Sequence, residues 1–160
     1  IYNHFGSKEE IYASILVEHL NILLSCLKEA ARTGRDTPEK LRNSMKAYVR
    51  FYREHKESFK LLFFIDLVSD HYRVPDALLK EIRTLKIACL LELQNVVRAG
   101  VRSGELEGGR PDAQVSLVMW GTLNGIIQLV ESRQFKDEDL DRLVGLGFEI
   151  VLGGLKHKSE

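Results

Sequence analysis

Ile1-Tyr2-Asn3-His4-Phe5-Gly6-Ser7-Lys8-Glu9-Glu10-Ile11-Tyr12 is the stretch on which the reading of the whole chain turns. Its second half has the form of a capping box. Ser7 can accept from the Glu10 N–H while the Glu10 side chain reaches back to the Ser7 N–H. A helix therefore starts here, with Lys8, Glu9 and Glu10 in its first turn. The first half is a short segment that stops at Gly6, a residue suited to ending a helix. Within it Phe5 can pack inward while Tyr2, Asn3 and His4 offer polar tips outward, and Lys8 projects towards the same side.

These residues resemble the junction between the recognition helix and the fourth helix of TetR-family transcriptional repressors. That family reads Leu/Ile-Tyr-x-His-Phe-x-Ser/Asn-Lys-Glu-x-Leu/Ile there, and every specified position matches. The resemblance implies that residues 1–6 are the remnant of a recognition helix, 7–155 a ligand-binding and dimerisation domain, and 156–160 a tail. It also implies that two helices and the start of the recognition helix precede Ile1. Tyr2, Asn3, His4 and Lys8 take the place of the family's DNA-phosphate contacts. A phenol, an imidazole N–H and an ammonium can all donate to phosphate oxygens, contacts that set register rather than sequence. The likeness is sharp over residues 1–12; beyond them it rests on a helical pattern alone.

The bulk composition fits a single helical domain. At 160 residues and 44% hydrophobic content, the chain is long enough to bury a substantial core. Lys+Arg and Asp+Glu are both 23, which balances the charge and places the pI near 7.1. A free-standing nucleic-acid binder carries a basic surplus, and this chain has none. No run is read as approaching the ~18–20 apolar residues of a membrane span, and no signal peptide opens the chain. Cys26 and Cys89 stand alone in apolar helical patterns, as buried free thiols suited to a reducing cytoplasm.

Hydrophobic spacing predicts six helices and no sheet. The first, Ser7 to about Arg32, places Tyr12, Leu16, Leu20, Leu23, Leu27 and Ala30 on one stripe, which Ile11, Ile15 and Ile22 widen. Thr37-Pro38-Glu39 reads as N-cap, first-turn proline and acid for a second helix that runs to Glu54. His55-Lys56-Glu57 marks a bend before a short, nearly all-round apolar helix from Phe59 to Val68. Pro75-Asp76 starts a long helix that ends near Ser103-Gly104. The last two, Pro111–Arg133 and Asp137–Leu155, with Asp137 as cap, are apolar on more faces than a monomer's surface helix requires. Paired with their copies they make a four-helix bundle, with Leu117, Leu123, Ile127, Leu143, Leu146 and Ile150 as the interface.

Aromatic and soft side chains gather mid-chain: Tyr48, Phe51, Tyr52, Phe59, Phe63, Phe64, Tyr72, Cys89, Met119 and Trp120. Small-molecule cavities are mostly apolar with a few placed polar groups, and Asn124, Gln94 and Asp66 are candidates for those. The plainer reading of such stripes is filled core; the family resemblance, which implies a ligand pocket among these helices, favours a cavity. The five histidines (His4, His19, His55, His71, His157) show no i, i+4 pairing, so no metal is expected. No GxxxxGK[ST], GxGxxG or nucleophile elbow occurs, so neither a cofactor nor an enzyme has motif support.

The reading is therefore an all-α, TetR-like C-terminal helical bundle, cytoplasmic and homodimeric. It serves a repressor that a small apolar ligand releases from operator DNA. The alternative is a helical small-molecule-binding or dimerisation module unrelated to transcription, with an all-α enzyme as a third reading.

Overall fold

The capping box at Ser7 opens the fold: Ser7 Oγ accepts from the Glu10 N–H at 3.1 Å and starts α1, Lys8–Thr33. The computed structural model describes residues 7–68, 74–132, 136 and 139–155, with the side chains of 64–68 outside that description. Among these residues there is no strand, and five further helices follow: α2 Thr37–Glu54, α3 Lys56–Val68, α4 Asp76–Ser103, α5 Asp112–Glu131 and α6 Leu140–Gly153. Residues 1–6, Tyr72, His71, Asp137 and the tail at 156–160 lie outside the described residues, so the recognition-helix remnant and the Asp137 cap do too.

At 26 residues, α1 is a rod of about 39 Å. Its buried stripe is Ala13, Leu16, Leu20, Leu23, Leu27 and Ala30, packed mainly on α4 and α2. Tyr12 does not belong to that stripe. It is 49% exposed, because one residue's step turns a helix by about 100° and Ala13 already holds the inward position. The Lys8 ammonium instead lies 5.6 Å from the Tyr12 ring centroid. Ile15 and Ile22 are also exposed and do not widen the core face.

The start of α2 differs by one residue from the sequence reading. Asp36, not Thr37, is the cap, its Oδ1 accepting from the Glu39 N–H at 2.7 Å. Thr37 is buried, and its N–H donates to Glu105 Oε2 at 2.7 Å, which ties the start of α2 to the turn after α4. Gly100 makes that approach possible: a Cβ there would sit 2.5 Å from Thr37 Cγ2. The bend between α2 and α3 contracts to one residue. His55 donates its N–H to Phe51 O and accepts from the Phe59 N–H, both at 2.9 Å, so the two helices share a single joint.

α4 ends on Gly104, whose φ of 77° is the left-handed conformation that glycine adopts without penalty. Asp112, at the head of α5, then receives Gln94 Nε2 and Arg98 Nε and locks α4 to α5. Gln94 is thereby spent on this ion-paired corner and is not a cavity group. By length and composition α1 and α5 are apolar enough to cross a membrane, which the sequence reading does not anticipate. Here each lays its buried residues into one core shared with the more amphipathic α2 and α4. Cys89 is fully buried, whereas Cys26 is only half-buried, 3.5 Å from Arg50 Nη2; both thiols are free.

Candidate ligand cavity and outer face

Five helices enclose an apolar cavity. α2 contributes Leu41, Ser44, Met45 and Tyr48, and α5 contributes Met119, Trp120, Thr122 and Leu123. Leu27 of α1, Leu93 of α4, and Gly147, Phe148 and Val151 of α6 complete the wall. Gly147 fits because a Cβ there would already press on Ile126 and Thr122 at 3.0 Å. The space open to the centre of a water-sized sphere is about 30 Å³. One water needs about 10–15 Å³ on that measure, so the walls leave room for a few waters, whereas drug-sized ligands fill several hundred Å³.

One polar pair marks this site. Tyr48 OH donates to Asn124 Oδ1 at 2.6 Å, with both side chains buried. Burial drives the Tyr48 phenol far above its ordinary pKa, ahead of a smaller push from Cys89, so the phenol stays a protonated donor. The Trp120 ring lies 4.6 Å from that of Tyr48, tilted by 51°. Ser44 Oγ already donates to Lys40 O at 2.9 Å within its own helix. A guest here therefore meets hydrocarbon, an indole face and the edge of one phenol–amide hydrogen bond.

Of the residues read as pocket from the sequence, Tyr48, Met119 and Trp120 line the cavity, and Asn124 joins them through Tyr48. Phe51, Tyr52, Phe59 and Cys89 are filled core instead. Phe59 packs its ring 5.1 Å from Tyr52 and 5.0 Å from Phe63, leaving no gap between them. Tyr52 OH donates to Glu131 Oε1 at 2.6 Å, a bond that closes the cluster from the α5 side. Burial raises the Cys89 thiol to about 12, which makes it an inert space-filler. The side chains of Phe64 and Asp66 lie outside the described residues. The walls supplied by α1, α4 and α6 are not read as cavity from the sequence, because Leu27, Leu93 and Phe148 carry nothing that distinguishes them from core.

The outer face of α5 and α6 corrects part of the interface reading. Ile127 has 0% exposure within the single chain, so it belongs to the core and no partner can reach it. Leu123 lines the cavity and Leu143 is half-buried. Leu117 on α5, and Leu146 and Ile150 on α6, are exposed, and Val118 and Leu129 of α5 join them. Gly121, Gly125, Gly145 and Gly153 are open: an added Cβ at each would meet nothing of this chain within 4 Å. At the opposite side of the problem Lys8 is exposed at the head of α1. Tyr2, Asn3 and His4 lie outside the described residues.

Known proteins resemble this arrangement. The family described as tetracyclin repressor-like, C-terminal domain, matches residues 41–149. The HTH-type transcriptional activator FasR of Mycolicibacterium smegmatis is 33% identical over 70 residues, 44% of this chain. That match spans 32% of the relative's length. A TetR family transcriptional regulator, PfmR of Thermus thermophilus, superposes with a TM-score of 0.75 at 23% identity, covering 98% of this chain and 81% of that one. A protein of unknown function from Rhodococcus sp. RHA1 superposes at 0.80 with 18% identity, over 96% and 76% of the two chains. These two likenesses concern the fold.

The buried pair gives a direct test. Tyr48→Phe removes the donor and leaves Asn124 Oδ1 buried without its partner. Urea denaturation should show a stability loss of about 1–3 kcal/mol, the cost of one orphaned buried acceptor. A loss near zero would mean that water reaches Asn124 through the cavity.

Proposed function

We propose that this chain, which belongs to the tetracyclin repressor-like C-terminal domain family, is the regulatory and dimerisation part of a ligand-responsive transcriptional regulator. The observation that carries this reading is the cavity whose wall includes Leu27 of α1. The same helix begins at Lys8, in the motif that resembles the end of a recognition helix. From Leu27 to Lys8 is 19 residues, or about 29 Å of helix, so a tilt of ~5° at the cavity moves the helix start by about 2.5 Å. Two recognition helices in a dimer must sit about 34–36 Å apart to read one face of DNA. A few ångströms at each spoil that spacing.

Ligand binding cannot leave the protein unchanged, because the walls hold room for only a few waters. A small apolar ligand has to part α5 and α6 from α1 and α2 to enter. Ligand binding and helix displacement are then one event. Its effect on transcription follows from where the operator lies relative to the polymerase. The relative FasR is named an activator, while the sequence motif resembles that of repressors; the proposed device, ligand-controlled DNA occupancy, serves either. Tyr2, Asn3, His4 and Lys8 are proposed as phosphate contacts of the whole protein, which works in the cytoplasm where its DNA is.

The partner of the outer α5–α6 face is proposed to be a second copy of the chain. A two-fold arrangement places the same apolar patch on both partners. The open glycines let the facing backbones approach, since no side chain of this subunit fills the space above them. Leu146→Glu with Ile150→Glu changes exposed residues only and spares the core. Sedimentation should show a folded monomer for this variant and a dimer for the unchanged chain. An undiminished dimer would move the interface elsewhere.

Trp120 is the one tryptophan in the chain and lies in the cavity wall. Screening apolar compounds of roughly ten to twenty heavy atoms should find ones that shift its fluorescence and raise the melting temperature together, as a ligand of the native state must. Compounds that raise the melting temperature with no change at Trp120 would place the ligand outside this cavity.

A further inference from the structure

A second polar constellation lies away from the cavity, where α1 crosses the joint between α2 and α3. His19 of α1 stacks on His55, the one-residue joint, with ring centroids 3.9 Å apart and planes 38° from parallel. His19 Nδ1 lies 2.7 Å from Ser58 Oγ, and Ser58 is buried in the first turn of α3. His55 leans in turn on Phe51, ring to ring at 5.3 Å. Three elements thus meet on two imidazoles. Among the described residues no group of three or more His, Cys, Asp or Glu is placed to hold a metal.

We propose that His19, His55 and Ser58 form a protonation-controlled latch that holds α1 against the α2–α3 joint while the His19 imidazole is neutral. A proton on His19 would place a charge in a partly buried site, 3.9 Å from a second imidazole ring and short of full hydration, which disfavours the charged form. Charged groups of all three elements border the site. Glu18 of α1 favours a charged His19, but burial and the neighbouring His55 outweigh it, and His19 sits below its ordinary value of 6.5. From α2, Arg53 and Glu54 border the site. Arg53 is drawn to Asp141, at 2.9 Å. From α3, Lys56 and Glu57 border it too. Lys56 stands over the Tyr52 ring and Glu57 pairs with Lys60 at 3.0 Å.

The sign follows from linkage. His19 binds a proton less readily when latched than when released, so the released form gains protons first as pH falls. The latch is at full strength above 6.5 and is lost progressively below it. Because His55 is the joint itself, its displacement changes the angle between α2 and α3, and α1 is freed midway along its length. This goes beyond the ligand reading: acid and ligand act on the same helix from two separate places.

The test uses the full chain and imidazole NMR. In the unchanged chain the His19 resonance should titrate below 6.5, and in His55→Gln it should move up towards 6.5. Amide exchange over residues 56–60, corrected for its intrinsic pH dependence, should be about threefold or more faster at about pH 5 than at about pH 7.5. His19→Gln, which can still bond Ser58 but cannot be protonated, should lose that pH dependence; circular dichroism confirms that each variant is folded. A His19 midpoint at or above 6.5, or the same exchange acceleration in His19→Gln, would overturn the latch.

Discussion

The burial of one stripe on α1 constrains everything else in the molecule. Ala13, Leu16, Leu20, Leu23, Leu27 and Ala30 are shared between α4 and α2, so α1 is less a surface helix than a spine gripped on two sides. Each fully buried leucine contributes about 1.5–3 kcal/mol by removal from water. A rod transmits what a hinged segment would absorb. No proline lies within Lys8–Thr33, and the helix runs unbroken from the cavity-facing Leu27 to its head.

The cavity gains its meaning from how little free volume it holds. A roomy pocket would accept a guest without consequence for the walls. A pocket of a few waters' volume forces a choice between excluding the guest and moving a helix. Close-packed interiors do not deform continuously, so small displacements resolve into discrete arrangements. The Tyr48–Asn124 bond holds α2 to α5 across this gap, and the Tyr52–Glu131 bond holds the same two helices further along. Trp120 and the α6 residues Gly147, Phe148 and Val151 offer a guest indole and hydrocarbon surface. On the proposed reading, displacement of α6 would carry the outer face bearing Leu146 and Ile150 with it.

How much of this is legible in the sequence depends on whether a residue's role is local. The start of α1 is legible because a capping box acts through residues three apart. Helix number and order are legible because apolar spacing repeats along each segment. Tyr12 is misread because adjacent residues compete for one inward position and only packing decides between Tyr12 and Ala13. Asp36 escapes notice as a cap because its neighbour Thr37 is also a capping residue and directly precedes Pro38. What excludes Thr37 is its burial against Gly100 and its bond to Glu105, contacts made with residues far along the chain. Ile127 is assigned outward for a related reason: on a helix apolar nearly all round, periodicity does not say which face meets the chain and which a partner. The cavity residues of α1, α4 and α6 look like core in sequence, while much of the aromatic set that looks like cavity is filled core. The His19–His55 pair, brought together only by the crossing of α1 over the joint, leaves no local mark at all.

On the proposed mechanism, cavity and DNA-binding head compete through α1, and the most direct measurement of that competition is a reciprocal one. With the whole protein, calorimetric titration of a cavity ligand is run in the absence and in the presence of saturating operator DNA. If the ligand favours the arrangement that DNA disfavours, operator must weaken ligand binding by the same factor that ligand weakens operator binding. Couplings of this kind amount to about 1–3 kcal/mol, or roughly 5- to 150-fold. A ligand affinity reduced by a factor in that range is the predicted result. Equal affinities in the two titrations would contradict it, for α1 would then be a spine that carries no message.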